Sequence, residues 1–417
     1  MNADARRWAD IAFVFVVSLA TNFLYFLFAN SDYFFPDSFT YLTPARNLLH
    51  GLGFTSDGMI ETLRTPGYPL LLAAFGLRIV PMIVFQHLLN AAIAVTIYLL
   101  VTRRLGSRFI AITAAILFAI DTPTLHYANK ILTETLFTAG LFALFVMVLY
   151  AWKLPVAGLL TGVLVLIRPV AIVYFLVVAI CLMLRRVRGR TIAAYVALAL
   201  LLPFAWALRN LHGTGVFTIS SISGINLLSY RAAGALAIED DGDFDADLAD
   251  EIQGLQADAD DEIQTRLHIP DAGELPSAVR GRYYSEIAWR VLRQHPRAAA
   301  MLTLRGLLVN IFDSRWEAME IVSRFPAEIV RRGLDAYTAA EFVFAVIGAL
   351  ALWRRDRDLA AITVATVVYF LLISAGGESE SRFRVPIVPQ IAIAAATGVA
   401  ILRQTADGTP AVPGGYR

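Results

Sequence analysis

The sequence predicts an all-α polytopic membrane protein. It would have about ten transmembrane helices, amphipathic helices in its outer loops and a small extracytoplasmic segment. Three observations lead there. Of 417 residues, 58% are hydrophobic and only 17% charged, against roughly 25% charged in an ordinary soluble chain. Mean hydropathy is +0.62. The apolar residues come in blocks near the ~20 residues that a helix rising ~1.5 Å per residue needs to cross a ~30 Å hydrocarbon core. This composition excludes disordered, collagen-like and nucleic-acid-binding classes, and a net charge of +1 argues against a polyphosphate partner. Cys181 is the only cysteine, which leaves no disulfide framework and no cysteine-based zinc site.

In chain order the spans fall near 11–29, 81–102, 107–122, 131–151, 154–168, 169–184, 190–208, 336–353, 359–375 and 385–402. The stretch 66–80 is apolar but short, and reads as re-entrant or interfacial. The stretch 298–312 is ambiguous in the same way. Arginine in short loops sets the orientation. Arg6, Arg7, Arg103, Arg104, Arg108, Lys153, Arg185, Arg186, Arg188, Arg190, Arg354, Arg355, Arg357 and Arg403 all fall on one side of a ten-span chain. That side is assigned to the cytoplasm, with both termini. The division is then a catalytic membrane module at 1–208 with a first outer loop at 30–80, an extracytoplasmic segment at 209–335, membrane helices at 336–404 and a disordered Gly/Pro-rich tail at 405–417. Within the outer segment, twelve Asp or Glu lie between Glu239 and Glu262 with no Lys or Arg. Their spacing fails the calcium-loop pattern, so a solvated acidic face is the expectation.

Ionisable residues at a membrane boundary are costly and therefore informative. Four groups stand out, all on the outer side. Asp37 follows Pro36 and either caps a helix over Ser38 to Leu49 or serves as a chemical base. Arg64, in Arg64-Thr65-Pro66-Gly67-Tyr68-Pro69, either snorkels to headgroups or binds a phosphate. Asp121 and Glu134 flank a second outer turn that also carries His126 and Lys130, expected at the interface. Each is either a helix-boundary residue or part of a site. Arg168-Pro169 joins two apolar helices without a polar spacer, so Arg168 must find an anion, carbonyls or water. The last group, Gly376 to Pro389, holds Glu378, Glu380, Arg382 and Arg384 and suggests an ion-pair network or an anion clamp. Carboxylates that take a proton and arginines that stabilise a departing phosphate suit cleavage of a lipid-linked phosphate bond.

These motifs resemble the GT-C superfamily of integral-membrane glycosyltransferases, in particular bacterial members related to protein O-mannosyltransferases and lipid A aminoarabinose transferases. The resemblance runs through Asp37, Tyr41, Ala45, Leu48 and Gly51. It continues in Arg64 to Pro69, in Thr133-Glu134-x-Leu136, in Arg168-Pro169, and in Glu380, Arg382, Phe383, Pro386 and Pro389. It covers most of 10–170 and 335–402, but not 209–335. It implies inverting transfer of a hexosyl or pentosyl group from a polyprenyl-phosphate sugar at the extracytoplasmic face of the inner membrane. Asp37 would be the general base and Asp121 a second carboxylate. Arg64, Arg168 and Arg382 would hold the donor phosphate, with Tyr41, Tyr68, Glu134, Glu380 and Arg384 as further site candidates. Ser38 stands where many members carry a second acidic residue, so a lipid or cell-envelope glycan is a better acceptor than protein. No metal or other cofactor is expected beside the donor. The rival reading is a transporter or flippase of a lipid-linked sugar or other anion, which would place its charges nearer the bilayer midplane.

Overall fold

A computed structural model describes residues 3–29, 32–239, 242–314 and 326–406. Each of the ten apolar blocks coincides with a helix. They are α1 (Ala3–Phe28), α4 (Ile79–Leu105), α5 (Arg108–Ile120), α7 (Glu134–Leu149), α8 (Leu154–Ile167), α9 (Tyr174–Leu184, led in by a 3-10 turn at Pro169–Val173), α10 (Gly189–Thr214), α16 (Ala327–Arg355), α17 (Arg357–Ile373) and α18 (Val388–Ala406). Five of these regions are long and apolar enough to cross a membrane: α1, α4, α10, α16 and the segment containing α18. A sixth is added if α5 and α6 (Thr122–Ala128), bent by 51° at Asp121, form one broken span. The helices α7, α8 and α9 are apolar but short. By length, five or six of the ten expected spans are long enough to cross a membrane, because α5, α7, α8, α9 and α17 have only 13, 16, 14, 11 and 17 residues.

Between the long helices lie α2 (Ser38–Leu49), α3 (Gly67–Ala74), and a two-stranded hairpin pairing Thr55–Ser56 with Met59–Ile60. The expected re-entrant stretch at 66–80 is therefore α3 plus the start of α4. The outer segment is helical as well: α11 (Ile222–Asn226), a π-helical turn at Leu227–Ala232, α12 (Ala233–Ala237), α13 (Phe244–Leu267), α14 (Ser277–Gln294) and α15 (Pro296–Phe312). Its expected limits at 209 and 335 shift, since α10 continues to Thr214 and α16 begins at Ala327. Residues 315–325 of that segment, and 407–417 of the expected disordered tail, lie outside the described residues; 405–406 still belong to α18.

Packing follows from small residues. Without a hydrophobic drive between helices in lipid, close backbone approach provides the contact. A Cβ on Gly348 would overlap the Ala394 carbonyl, and one on Gly398 that of Phe344, so α16 and α18 touch backbone to backbone. Gly158 does the same against Tyr195 between α8 and α10. The main core lies among α4, α5, α7, α8, α9 and α18. Phe15, Leu24, Leu201, Phe204, Val346 and Leu350 are exposed. On helices of this length such apolar faces meet lipid.

The arginine-rich loops meet at one end of the bundle. Arg104 pairs with Asp356 at 2.6 Å, Arg108 with Asp10 at 2.7 Å and Arg185 with Asp358 at 3.0 Å. Asp37, Arg64, Glu134, Arg168 and Arg382 stand at the other ends of the same helices. They are about 25 Å away, judged from the 17 residues of α17 at ~1.5 Å per residue.

Candidate active site

Helix α2 begins at Ser38, as expected, but Asp37 does not cap it: its side chain accepts no hydrogen bond from the helix. The carboxylate turns instead to two arginines. Arg64 donates to Asp37 Oδ1 at 2.7 Å, and Arg382 donates to Oδ2 at 3.0 Å. Arg64 is itself aimed by α2, donating to Thr40 Oγ1 at 2.8 Å and to the Tyr41 hydroxyl at 3.2 Å. Its guanidinium lies 4.6 Å from the centre of the Tyr41 ring, a cation–π contact. Two adjacent residues in the first turn of α2 therefore orient the arginine that holds the residue just before the helix.

Glu134 opens α7, where the helix dipole favours a carboxylate. It also receives two arginines. Arg168 donates to its Oε1, and Arg382 Nε lies 3.1 Å from the same atom. Glu380 Oε1 is 3.2 Å from the same Nε. Arg382 thus joins Asp37, Glu134 and Glu380 into one network. Arg168 reaches it because the break between α8 and the 3-10 turn leaves its backbone extended at the helix end.

The carboxylates differ in access. The Asp37 side chain is 29% exposed, Glu380 16% and Glu134 1%. Only Asp37 combines openness with two guanidiniums, whereas Glu134 is sealed and serves to hold Arg168 and Arg382. Burial opposes ionisation of Asp37, but Arg64 and Arg382 outweigh it and keep its carboxyl below the usual aspartate range.

All six ions line a cavity of 1160 Å³, together with Tyr41. Ile172, Val173, Leu372 and Ile373, next to or at the ends of apolar helices, contribute apolar lining. The segment between α10 and α16 contributes Ile225, Tyr230, Trp289 and Leu302. Tyr230 and Arg231 stand on the π-helical turn, a local geometry common at functional sites. Arg231 donates to the Ala375 and Ile373 carbonyls and pairs with Glu378 at 3.1 Å, tying that turn to the loop before Arg382. Burial pushes the Glu378 carboxyl up from its ordinary value.

Three sequence candidates are placed elsewhere. Asp121 does not line the cavity. It caps α6, accepting from the Thr124 amide at 2.9 Å and its hydroxyl at 2.5 Å. Arg384 is buried and clamps the end of α15, donating to the carbonyls of Ile311 and Asp313 at 3.1 Å each. Tyr68 is buried behind the site, donating to Gln86 at 3.0 Å with its ring 5.3 Å from that of Tyr41. His126 and Lys130, expected at the interface, are buried. Sequence reading had missed Tyr230, Arg231 and Trp289. Their only signal was position in an outer segment that must face some part of the membrane module.

No family model matches the chain, and no curated protein does. Solved structures are similar. One is the crystal structure of the Archaeoglobus fulgidus oligosaccharyltransferase tethered to an acceptor peptide containing the NVT sequon via a disulfide bond. Its TM-score is 0.52 at 11% identity, covering 97% of this chain and 50% of that one. Another is archaeal oligosaccharyltransferase AglB from the same organism in complex with an inhibitory peptide and a dolichol-phosphate. Its TM-score is 0.49 at 12% identity, with 97% and 52% covered. At this identity the likeness is one of fold: the chain has the GT-C fold that its motifs suggested. It spans about half the length of the oligosaccharyltransferase it matches.

Proposed function

We propose that the protein is an inverting glycosyltransferase. It transfers a hexosyl or pentosyl group from a polyprenyl-phosphate donor to a hydroxyl of a lipid or cell-envelope glycan. The reaction takes place at the extracytoplasmic face of the inner membrane. The observation that carries this reading is the placement of Asp37, the open carboxylate, between two arginines in a cavity that also has apolar lining. The donor phosphate is bound by Arg64, Arg168 and Arg382, and its isoprenoid chain runs along the apolar lining. Asp37 takes the acceptor hydroxyl proton. The acceptor oxygen attacks the anomeric carbon, the bond from that carbon to the phosphate oxygen breaks, and the phosphate leaves with the electron pair. The arginines stabilise the charge that develops on it. The arginine-rich end of the bundle faces the cytoplasm, by the positive-inside rule.

Grouping of the charges at one end of the helices, rather than at mid-depth, favours this reading over a transporter. Purified protein incubated with radiolabelled polyprenyl-phosphate sugars should release or transfer sugar from at least one donor. Failure with hexose and pentose donors alike would contradict it.

A further inference from the structure

The charges of the cavity balance. Among the described residues that line it, Arg64, Arg168, Arg231 and Arg382 face Asp37, Glu134, Glu378 and Glu380. Each of the three arginines assigned to the donor phosphate is already engaged by a carboxylate: Arg64 by Asp37, Arg168 by Glu134, and Arg382 by Asp37, Glu134 and Glu380. An anion therefore meets an electroneutral lattice. It binds well only by taking the place of a carboxylate on the guanidiniums. Guanidinium N–H groups donate to phosphate and carboxylate oxygens alike, so a phosphate can take over the single bond that each of Arg64 and Arg382 gives Asp37.

The carboxylates are not equally displaceable. Glu134 is sealed at the start of α7, while Asp37 sits in the non-helical stretch before α2 and is the most exposed of the three. We infer that Asp37 is caged by Arg64 and Arg382, and that an incoming phosphate uncages it by replacing it on those two guanidiniums. This rests on the glycosyltransferase reading above and adds an order to it: the donor binds first, and its binding releases the carboxylate that takes the acceptor proton. An arginine-bound carboxylate is a poor base, so the cage keeps Asp37 idle until the donor is in place. The bonds made and broken in transfer are those already given; the exchange itself moves no proton.

The test uses the full-length protein in detergent or nanodiscs, with geranyl phosphate as the probe. Caging predicts that Asp37→Asn binds the probe more tightly than the unaltered protein, by roughly fivefold, the scale of one partly exposed ion pair. Asp57→Asn removes an exposed acid from the same outer loop and should leave affinity unchanged. Equal or weaker binding by Asp37→Asn overturns the cage while leaving the phosphate site standing. If neither protein binds the probe, the phosphate site and the function built on it fall together. Difference infrared spectra of the unaltered protein supply a reading that does not depend on the variant's folding. Adding the probe should shift a carboxylate stretch, and an unchanged carboxylate region would equally overturn the proposal.

Discussion

At the scale of single residues, Arg382 bears most of the site. It touches three carboxylates, one of them sealed. Removing one partner of a buried ion pair costs about 3–5 kcal/mol, because the other charge is left uncompensated. Arg382→Ala should therefore lower stability as well as donor affinity. Donor affinity undiminished in Arg382→Ala would deny Arg382 a role toward the donor. Asp37 sets a pH signature. Its carboxyl is held below the usual range against the effect of burial, so in the free protein it stays ionised as pH falls through the ordinary aspartate value near ~3.9. The acid limb of kcat/KM due to Asp37 should thus lie below that value. The limb of kcat, which reports the donor complex, should lie higher once Arg64 and Arg382 hold the phosphate. Coincident limbs would speak against that exchange. Part of this scale was legible in the sequence: an arginine flanked by Leu166 and Val170 must find an anion, carbonyls or water, and Arg168 meets the Glu134 carboxylate. Asp121 and Arg384 were not legible, because a charge near a helix end looks alike whether it faces a cavity or caps its neighbour.

At the scale of elements, the apolar blocks of the sequence located all ten apolar helices and the junction at Arg168-Pro169, but not the bend between α5 and α6. The bend between α5 and α6 and the extended residue between α8 and the 3-10 turn arise where Pro123 and Pro169 interrupt apolar runs. These breaks matter, since the second presents Arg168 to the cavity. The acidic run was read as a solvated face. Asp245, Asp250, Asp258 and Asp261 of α13 are exposed, whereas Asp260 and Glu262 pair with Arg280 and Arg290 of α14, and Asp243 caps the helix. What no local pattern reveals is docking. That the π-helical turn reaches Glu378 depends on chain segments 147 residues apart. The contact between α16 and α18 offers a direct check of packing. Gly348→Leu should separate the two helices and cost roughly 1–3 kcal/mol, the usual range for overpacking. Gly333→Leu, on the same helix in open space, should be tolerated. Equal unfolding midpoints for the two variants would show that the close approach contributes nothing.

At the scale of the whole molecule, two ends with different chemistry define the protein: paired arginines and aspartates at one, a cavity lined by balanced ions at the other. Cysteine accessibility can orient them, since the native Cys181 is buried. In a Cys181→Ser background, Met59→Cys on the outer hairpin should react with an impermeant maleimide in intact cells. Arg188→Cys should react only after lysis, and the reverse pattern would invert the topology. Arginine counts assign one end to the cytoplasm, which this labelling tests; that Ile225, Tyr230, Trp289 and Leu302 line the cavity was not legible. The central claim is that Asp37 takes the acceptor proton in that cavity. The most direct measurement compares single-turnover transfer from a labelled polyprenyl-phosphate sugar by the unaltered protein and by Asp37→Asn, with donor saturating. Loss of the base should slow transfer by about 10²–10⁴-fold while the variant still binds donor. Transfer at an undiminished rate would contradict the account.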